Sequence, residues 1–302
     1  MANSAQFKDG FWSSRDGLKL HYRDYEPDEA LSGALSGALA EATRPAVLCL
    51  HGLSRNARDF DVLAPRLRAQ GWHVLCPDLR GRGESDYARD AASYTPEQYA
   101  LDLTDLITAQ GLQRFVVIGT SLGGLIGMGL ASLMPERVVG AVINDVGPWL
   151  EPAGMERIRD YVGQGRSYPT WVHAARGIED AHGDAHPGQP LDFWIGMAKR
   201  LMTLSSSGRI VFDYDMKIAE PMLNLDLAEQ PDLWPFWENM AGRALLVVRG
   251  SLSDVLSLKT LAQMLERVPE AEALTLADVG HAPTLDEPEA VAAIEALLAR
   301  VA

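Results

Sequence analysis

Phe115-Val-Val-Ile-Gly-Thr-Ser-Leu-Gly-Gly124 starts as an apolar run and ends in small residues that lead into a helical pattern. Read as strand, sharp turn and helix, this stretch orders the rest of the chain around it. Gly119-Thr120-Ser121-Leu122-Gly123 has the spacing G-x-S-x-G. Between a strand and a helix that spacing puts the serine in a strained turn with its hydroxyl exposed, and the flanking glycines keep neighbouring chain from colliding. The N–H of Leu122, at the start of the helix, then points toward any oxyanion formed on an acyl group attacked by Ser121.

Working outward, residues 11–25 alternate around Asp16-Gly17 and predict a β-hairpin at an antiparallel edge. Residues 28–43 hold a brief repeat, Leu31-Ser-Gly-Ala-Leu-Ser-Gly-Ala38, too short for a solenoid and read as an enlarged surface loop. Apolar strands predicted at 46–50, 73–77, 115–119 and 138–144 alternate with amphipathic helices at 59–70, 96–110 and 122–134. This rhythm predicts an α/β fold with a mostly parallel, doubly wound sheet covered on both faces and function at the carboxyl ends of its strands. It breaks at Pro148 and resumes with strands at 244–249 and 273–276 and helices at 258–267 and 288–301. The intervening segment is rich in aromatic residues and methionine, among them Trp149, Trp171, Phe193, Trp194, Met197 and Met202. It is expected to be an inserted helical cap whose apolar underside forms an acyl pocket. The expected division is a core of 1–148 and 236–302 with a cap of 149–235.

The chain has 302 residues, 47% of them hydrophobic and 23% charged, with a formal net charge of −14. That length suits one α/β core with an insertion. The acidic balance excludes the clustered Lys and Arg that nucleic-acid binding needs, and it disfavours anionic membranes. No apolar run approaches the roughly 18 residues of a membrane span. Met1-Ala-Asn-Ser-Ala-Gln-Phe-Lys-Asp-Gly10 has neither a basic start nor an apolar core, so no secretory signal is expected and a cytoplasmic location is. Cys49 and Cys76 fall inside apolar strands and are expected to be buried free thiols.

A serine hydroxyl needs a base to become a nucleophile. His281, in Val279-Gly280-His281-Ala282-Pro283 after the last strand, stands in a loop at the catalytic edge of the sheet. Its imidazolium needs a carboxylate on the other nitrogen. Asp254, in the loop after the strand Leu245 to Gly250, is preferred because an acid beyond the insertion is nearer in topology to His281; Asp145, just after Asn144, is the alternative acid. A second oxyanion donor is expected from Leu53 in His51-Gly52-Leu53, with His51 structural rather than a base. The segment Pro77-Asp-Leu-Arg-Gly-Arg-Gly-Glu-Ser85 lacks the endings of phosphate-binding loops and is read as a hydrogen-bonded loop under the site. His182 and His186, with Asp180 and Asp184, are read as a flexible polar loop rather than a metal cluster.

Taken together, His51-Gly52, Pro77-Asp-Leu-Arg-Gly-Arg-Gly83, Gly119-Thr-Ser-Leu-Gly-Gly124, Asp254 and Gly280-His281 resemble the α/β-hydrolase superfamily, in its cap-bearing branch of esterases, lactonases, dehalogenases and epoxide hydrolases. The resemblance implies Ser121 as nucleophile, His281 as general base and acid, Asp254 as the orienting acid, and Leu53 with Leu122 as oxyanion donors. Carbon–halogen and epoxide cleavage in that branch use aspartate where this chain has Ser121, and the His-Gly-Gly-Gly run of one lipase group is absent. The expectation is a serine hydrolase without cofactor or metal, cleaving an apolar small-molecule ester or lactone through an acyl-enzyme. The alternatives are a carbon–carbon bond hydrolase with the same triad, which the resemblance allows, and a non-catalytic receptor that keeps the pocket.

Overall fold

A computed structural model of the chain describes residues 7–27, 44–223, 227 and 229–302. The loop expected at 28–43 lies outside the described residues. In chain order the strands are β1 (Lys8–Ser13), β2 (Lys19–Tyr25), β3 (Ala46–Leu50), β4 (Val74–Pro77), β5 (Phe115–Thr120), β6 (Val138–Asn144), β7 (Ser167–Tyr168), β8 (Met202–Leu204), β9 (Ile210–Phe212), β10 (Ala244–Gly250) and β11 (Glu272–Leu276).

Among the described residues the main sheet has eight strands in the order β1-β2-β4-β3-β5-β6-β10-β11. The β1–β2 hairpin turns at Gly17, whose φ of 85° suits glycine, and β2 joins β4 antiparallel. All pairings from β4 through β11 are parallel. β3 and β4 are buried along their whole length, as parallel strands under helices on both faces must be. Side chains alternate between the two faces. Leu48, Leu50, Phe115 and Val117 pack with helices Pro96–Ala109 and Leu122–Leu133, whereas Val47, Cys49, Val116 and Ile118 pack with Leu63–Ala69 and Pro288–Ala299. Each such Val or Leu contributes about 1.5–3 kcal/mol at full burial. Cys49 and Cys76 are buried free thiols within this packing.

The helix predicted over 59–70 is split into a 3₁₀ turn, Ala57–Phe60, and the helix Leu63–Ala69. Two groups fix the turn: the Asn56 side chain accepts from the Arg58 N–H, and Asp78 Oδ1 accepts from the Ala57 N–H at 2.7 Å. This turn stands beside the site described below.

Between β6 and β10 come helices Pro152–Tyr161, Trp171–His182 and Leu191–Leu201, then the short Glu220–Leu223 and Trp234–Glu238. This segment is not helical throughout, because β7, β9 and β8 form a small antiparallel sheet in that order. Ala174, Ile178, Trp194, Met197, Leu201 and Ile210 form a separate core there. Trp237 instead joins the main core, its indole N–H donating to the Met264 carbonyl at 2.9 Å. Among the described residues no helix is long and apolar enough to cross a membrane.

Candidate active site

Ser121 stands between β5 and helix Leu122–Leu133 with φ 52° and ψ −116°, a conformation disfavoured for a residue with a Cβ. Three hydrogen bonds hold it there: its N–H donates to Asn144 O at 2.9 Å, and its carbonyl accepts from the N–H groups of Gly124 and Leu125 at 2.8 and 3.2 Å. The turn closes only because its neighbours lack side chains. A Cβ on Gly119 would stand 2.3 Å from Gly123 O, and one on Gly123 would stand 2.1 Å from Leu50 O.

His281 Nε2 lies 2.9 Å from Ser121 Oγ, and its Nδ1 lies 2.8 Å from Asp145 Oδ2. Asp145 is fully buried, with φ 56° immediately after β6. Its Oδ1 accepts from the Gly250 N–H at 2.8 Å, and its Oδ2 also accepts from the Ser253 hydroxyl at 2.7 Å. Asn144 Nδ2 donates to Thr120 Oγ1 and to Pro283 O, which ties the ends of β5 and β6 to the loop carrying His281.

Asp254, the preferred acid, does not reach His281. It forms an ion pair with Arg157 on helix Pro152–Tyr161, at 2.5 Å from Nε and 2.8 Å from Nη2. Partial burial works to raise the Asp254 pKa, but the guanidinium of Arg157 outweighs it and holds the carboxyl below its ordinary value. The reason is sheet order. β6 lies directly between β5 and β10, so an acid at its end faces the serine and histidine loops together. Asp254, four residues beyond β10, has already turned toward the inserted segment. The sequence signal for Asp145 was its place immediately after a strand, which keeps the chain order serine, acid, histidine.

Leu122 is the first residue of its helix, so its N–H has no partner within that helix. On the other side, Gly52 packs against the serine, with the place for its Cβ 3.8 Å from Ser121 Cβ. His51 Nδ1 stands 2.7 Å from Gly52 O, while its Nε2 accepts from the Leu79 N–H at 3.1 Å. These partners require the neutral tautomer with the proton on Nδ1. Burial favours the same state, pushing His51 down to about 4. Since N–H and C=O of a trans peptide point in opposite directions, a Gly52 carbonyl held by His51 turns the Leu53 N–H the other way. Arg82 Nε donates to Leu53 O at 2.9 Å, so the 77–85 loop supports this turn.

A cavity of about 70 Å³ opens on Ser121 and His281. Phe60, Ile158, Met197, Leu201 and Phe212 supply apolar walls, and Arg55, Tyr161, His182 and His186 supply polar ones. The two histidines are thus not a solvated loop. His182 ends helix Trp171–His182 with its ring edge-on to Tyr161 at 5.0 Å, and His186 is buried beside Phe193. Burial, reinforced by the positive charge of Arg55, pushes both down to about 4.

The alpha/beta hydrolase family model matches residues 47–294. The chain belongs to that family. It is 35% identical over 259 residues to a 3-hydroxybutyrate-oligomer hydrolase of Cupriavidus necator, spanning 83% of this chain and 88% of that protein. Among solved structures it resembles an α/β hydrolase of Novosphingobium aromaticivorans, with a TM-score of 0.90, 52% identity and coverage of 99% of this chain and 100% of the other. An E-2-(acetamidomethylene)succinate hydrolase superposes with a TM-score of 0.78 over 97% of this chain and 99% of its own, and at 20% identity that likeness speaks for the fold alone.

Proposed function

We propose that the protein is a serine hydrolase that cleaves a carboxylic ester through an acyl-enzyme on Ser121, with short oligoesters of hydroxy acids as the substrate class. The observation carrying this is the unbroken hydrogen-bonded line from Ser121 Oγ through His281 to the buried carboxylate of Asp145. Ser121 Oγ attacks the ester carbonyl as His281 Nε2 takes its proton. Asp145 keeps the Nδ1 proton directed at itself and stabilises the imidazolium, while the N–H groups of Leu53 and Leu122 hold the oxyanion. Collapse of the tetrahedral intermediate breaks the C–O bond, and His281 returns the proton to the departing alcohol. Water, deprotonated by His281, then attacks the acyl-enzyme and frees the acid. A lactone presents the same carbonyl and gives a ring-opened hydroxy acid.

Residues 149–235 act in this reading as a cap over Ser121, supplying the apolar wall for the substrate. The Cupriavidus relative, whose name specifies 3-hydroxybutyrate oligomers, supports a compact oligoester. The test is a panel of p-nitrophenyl butyrate, 3-hydroxybutyrate dimer and trimer, a γ-lactone and a 1,5-diketone, run with the native protein and with Ser121→Ala. Ester turnover that falls on the order of 10³-fold or more in the variant is expected. Turnover of the diketone alone, or esterase activity surviving in Ser121→Ala, contradicts the proposal.

A further inference from the structure

Arg55 is the cationic group on the wall of the cavity that the acyl-transfer chemistry above leaves without a role. Its Nε is taken by both oxygens of Asp59, at 2.9 and 2.8 Å. Among the described residues neither of its terminal Nη groups donates a hydrogen bond to protein. The stem of Arg55 and the serine both flank Gly52: a Cβ there would find Arg55 Cγ at 3.3 Å and Ser121 Cβ at 3.8 Å.

The carboxylates that act most on Arg55 do not hydrogen-bond its Nη groups. Asp59 faces the Nε side, and Asp286, the next carboxylate acting on Arg55, is bound by Arg200 at 2.5 Å. Tyr161, His182 and His186 on the same wall each carry a donor when neutral, and Asp59, the carboxylate that also lines it, is already bound to Arg55 Nε. Burial raises the Tyr161 pKa, which keeps its hydroxyl protonated. A guanidinium with one edge occupied and the other free matches a carboxylate through two parallel N–H···O bonds.

We propose that Arg55 is a carboxylate anchor, so that the site takes oligoesters ending in a free acid and cuts the ester one hydroxy-acid unit from that end. Four bonds separate the scissile carbonyl carbon from the carboxylate carbon of a 3-hydroxy acid leaving group, about 5 Å in extended form. That span suits an anchor whose stem flanks the same glycine as the nucleophile. Each turnover releases one hydroxy acid as the alcohol, protonated by His281, and water consumes the acyl-enzyme carrying the rest of the chain. The inference rests on the ester-hydrolase reading and goes beyond it by naming the recognised end.

The experiment compares linear 3-hydroxybutyrate dimer and trimer as free acids and as methyl esters, with the trimer isotopically labelled in its carboxyl-terminal unit. Native protein is expected to favour the free acids about 10- to 100-fold in kcat/KM and to release the label as monomer. In Arg55→Gln that preference should fall toward unity, chiefly through KM, and Arg55→Lys should keep part of it. Circular dichroism checks both variants for folding, and the preference and label release of the native protein stand independently of either. Equal use of acid and methyl ester by the native protein, label retained in the dimer product, or an undiminished preference in folded Arg55→Gln overturns the anchor while leaving the ester hydrolase intact. If no ester is cleaved at all, both readings fall.

Discussion

Replacing Asp145 by asparagine exchanges one oxygen for an amino group at nearly constant volume, and the surroundings dictate how the new amide sits. Oδ1 must go on accepting from the Gly250 N–H, so the amino group occupies the Oδ2 position between Ser253 Oγ and His281 Nδ1. An N–H facing Nδ1 forces that nitrogen to accept, which moves the imidazole proton to Nε2, opposite the Ser121 hydroxyl. The histidine then cannot take the serine proton. Kcat should fall by about 10³–10⁴-fold, or roughly 4–5.5 kcal/mol of transition-state stabilisation. The comparison variant is Asp254→Asn, which removes a carboxylate from an ion pair whose two side chains are 33% and 35% exposed. Its cost should be within about 1 kcal/mol of stability, with activity within about threefold of native. Steady-state hydrolysis of p-nitrophenyl butyrate, with thermal melts to confirm folding, reads both. A larger loss of kcat in Asp254→Asn than in Asp145→Asn refutes the assignment of the acid.

Gly123→Ala should destabilise the fold by at least about 3 kcal/mol, since the new Cβ meets backbone at Leu50 O rather than a yielding side chain; a urea midpoint equal to native contradicts this. His51→Phe puts a somewhat larger apolar ring in its place, leaving the Leu79 N–H without its acceptor and Gly52 O held by the Arg55 N–H alone, so kcat should fall on the order of 10²-fold, more than KM changes. Kinetics showing only a KM effect count against a role for His51 in setting the Leu53 peptide. On acidification stability should decline between about pH 6.5 and pH 4. His51, His182 and His186 have folded pKa values lowered to about 4, so the unfolded chain binds their protons first and gains ground as pH falls through that window. Fully buried His51 alone contributes about 3 kcal/mol to the total decline across that window. His21 acts in the opposite direction: burial works against its charge, but Asp78 and Asp9 outweigh it and raise its pKa, so its contribution is present below pH 6.5 and lost as pH rises. Denaturant titrations at several pH values measure the sum, and constant stability from pH 7 to pH 4.5 contradicts the balance.

The parallel core was legible because its strands are buried on both faces and its helices carry one apolar stripe each, so period and punctuation agree from Ala46 to Asn144. The serine turn and His281 were legible for a related reason: each sits at a strand's carboxyl end, where a local pattern fixes a place in space. The carboxylate that meets His281 was not, because choosing between Asp145 and Asp254 requires knowing that β6 lies between β5 and β10, and chain order does not carry that. The wall of the cavity was hidden more deeply. β7, β8 and β9 have two, three and three residues, too few to show alternation, and it is the fold of this segment that brings Tyr161, His182 and His186 over Ser121. Arg55 left no signal either, since an arginine in a polar turn looks solvated until the opposite wall is in place.

The most direct measurement is the intact mass of the protein after exposure to a fluorophosphonate, followed by peptide mapping. Native protein should gain one phosphonyl group, localised to Ser121, while Ser121→Ala gains none and Asp145→Asn reacts far more slowly. An unlabelled native protein, or a label on a residue other than Ser121, contradicts the claim that Asp145 and His281 activate this hydroxyl.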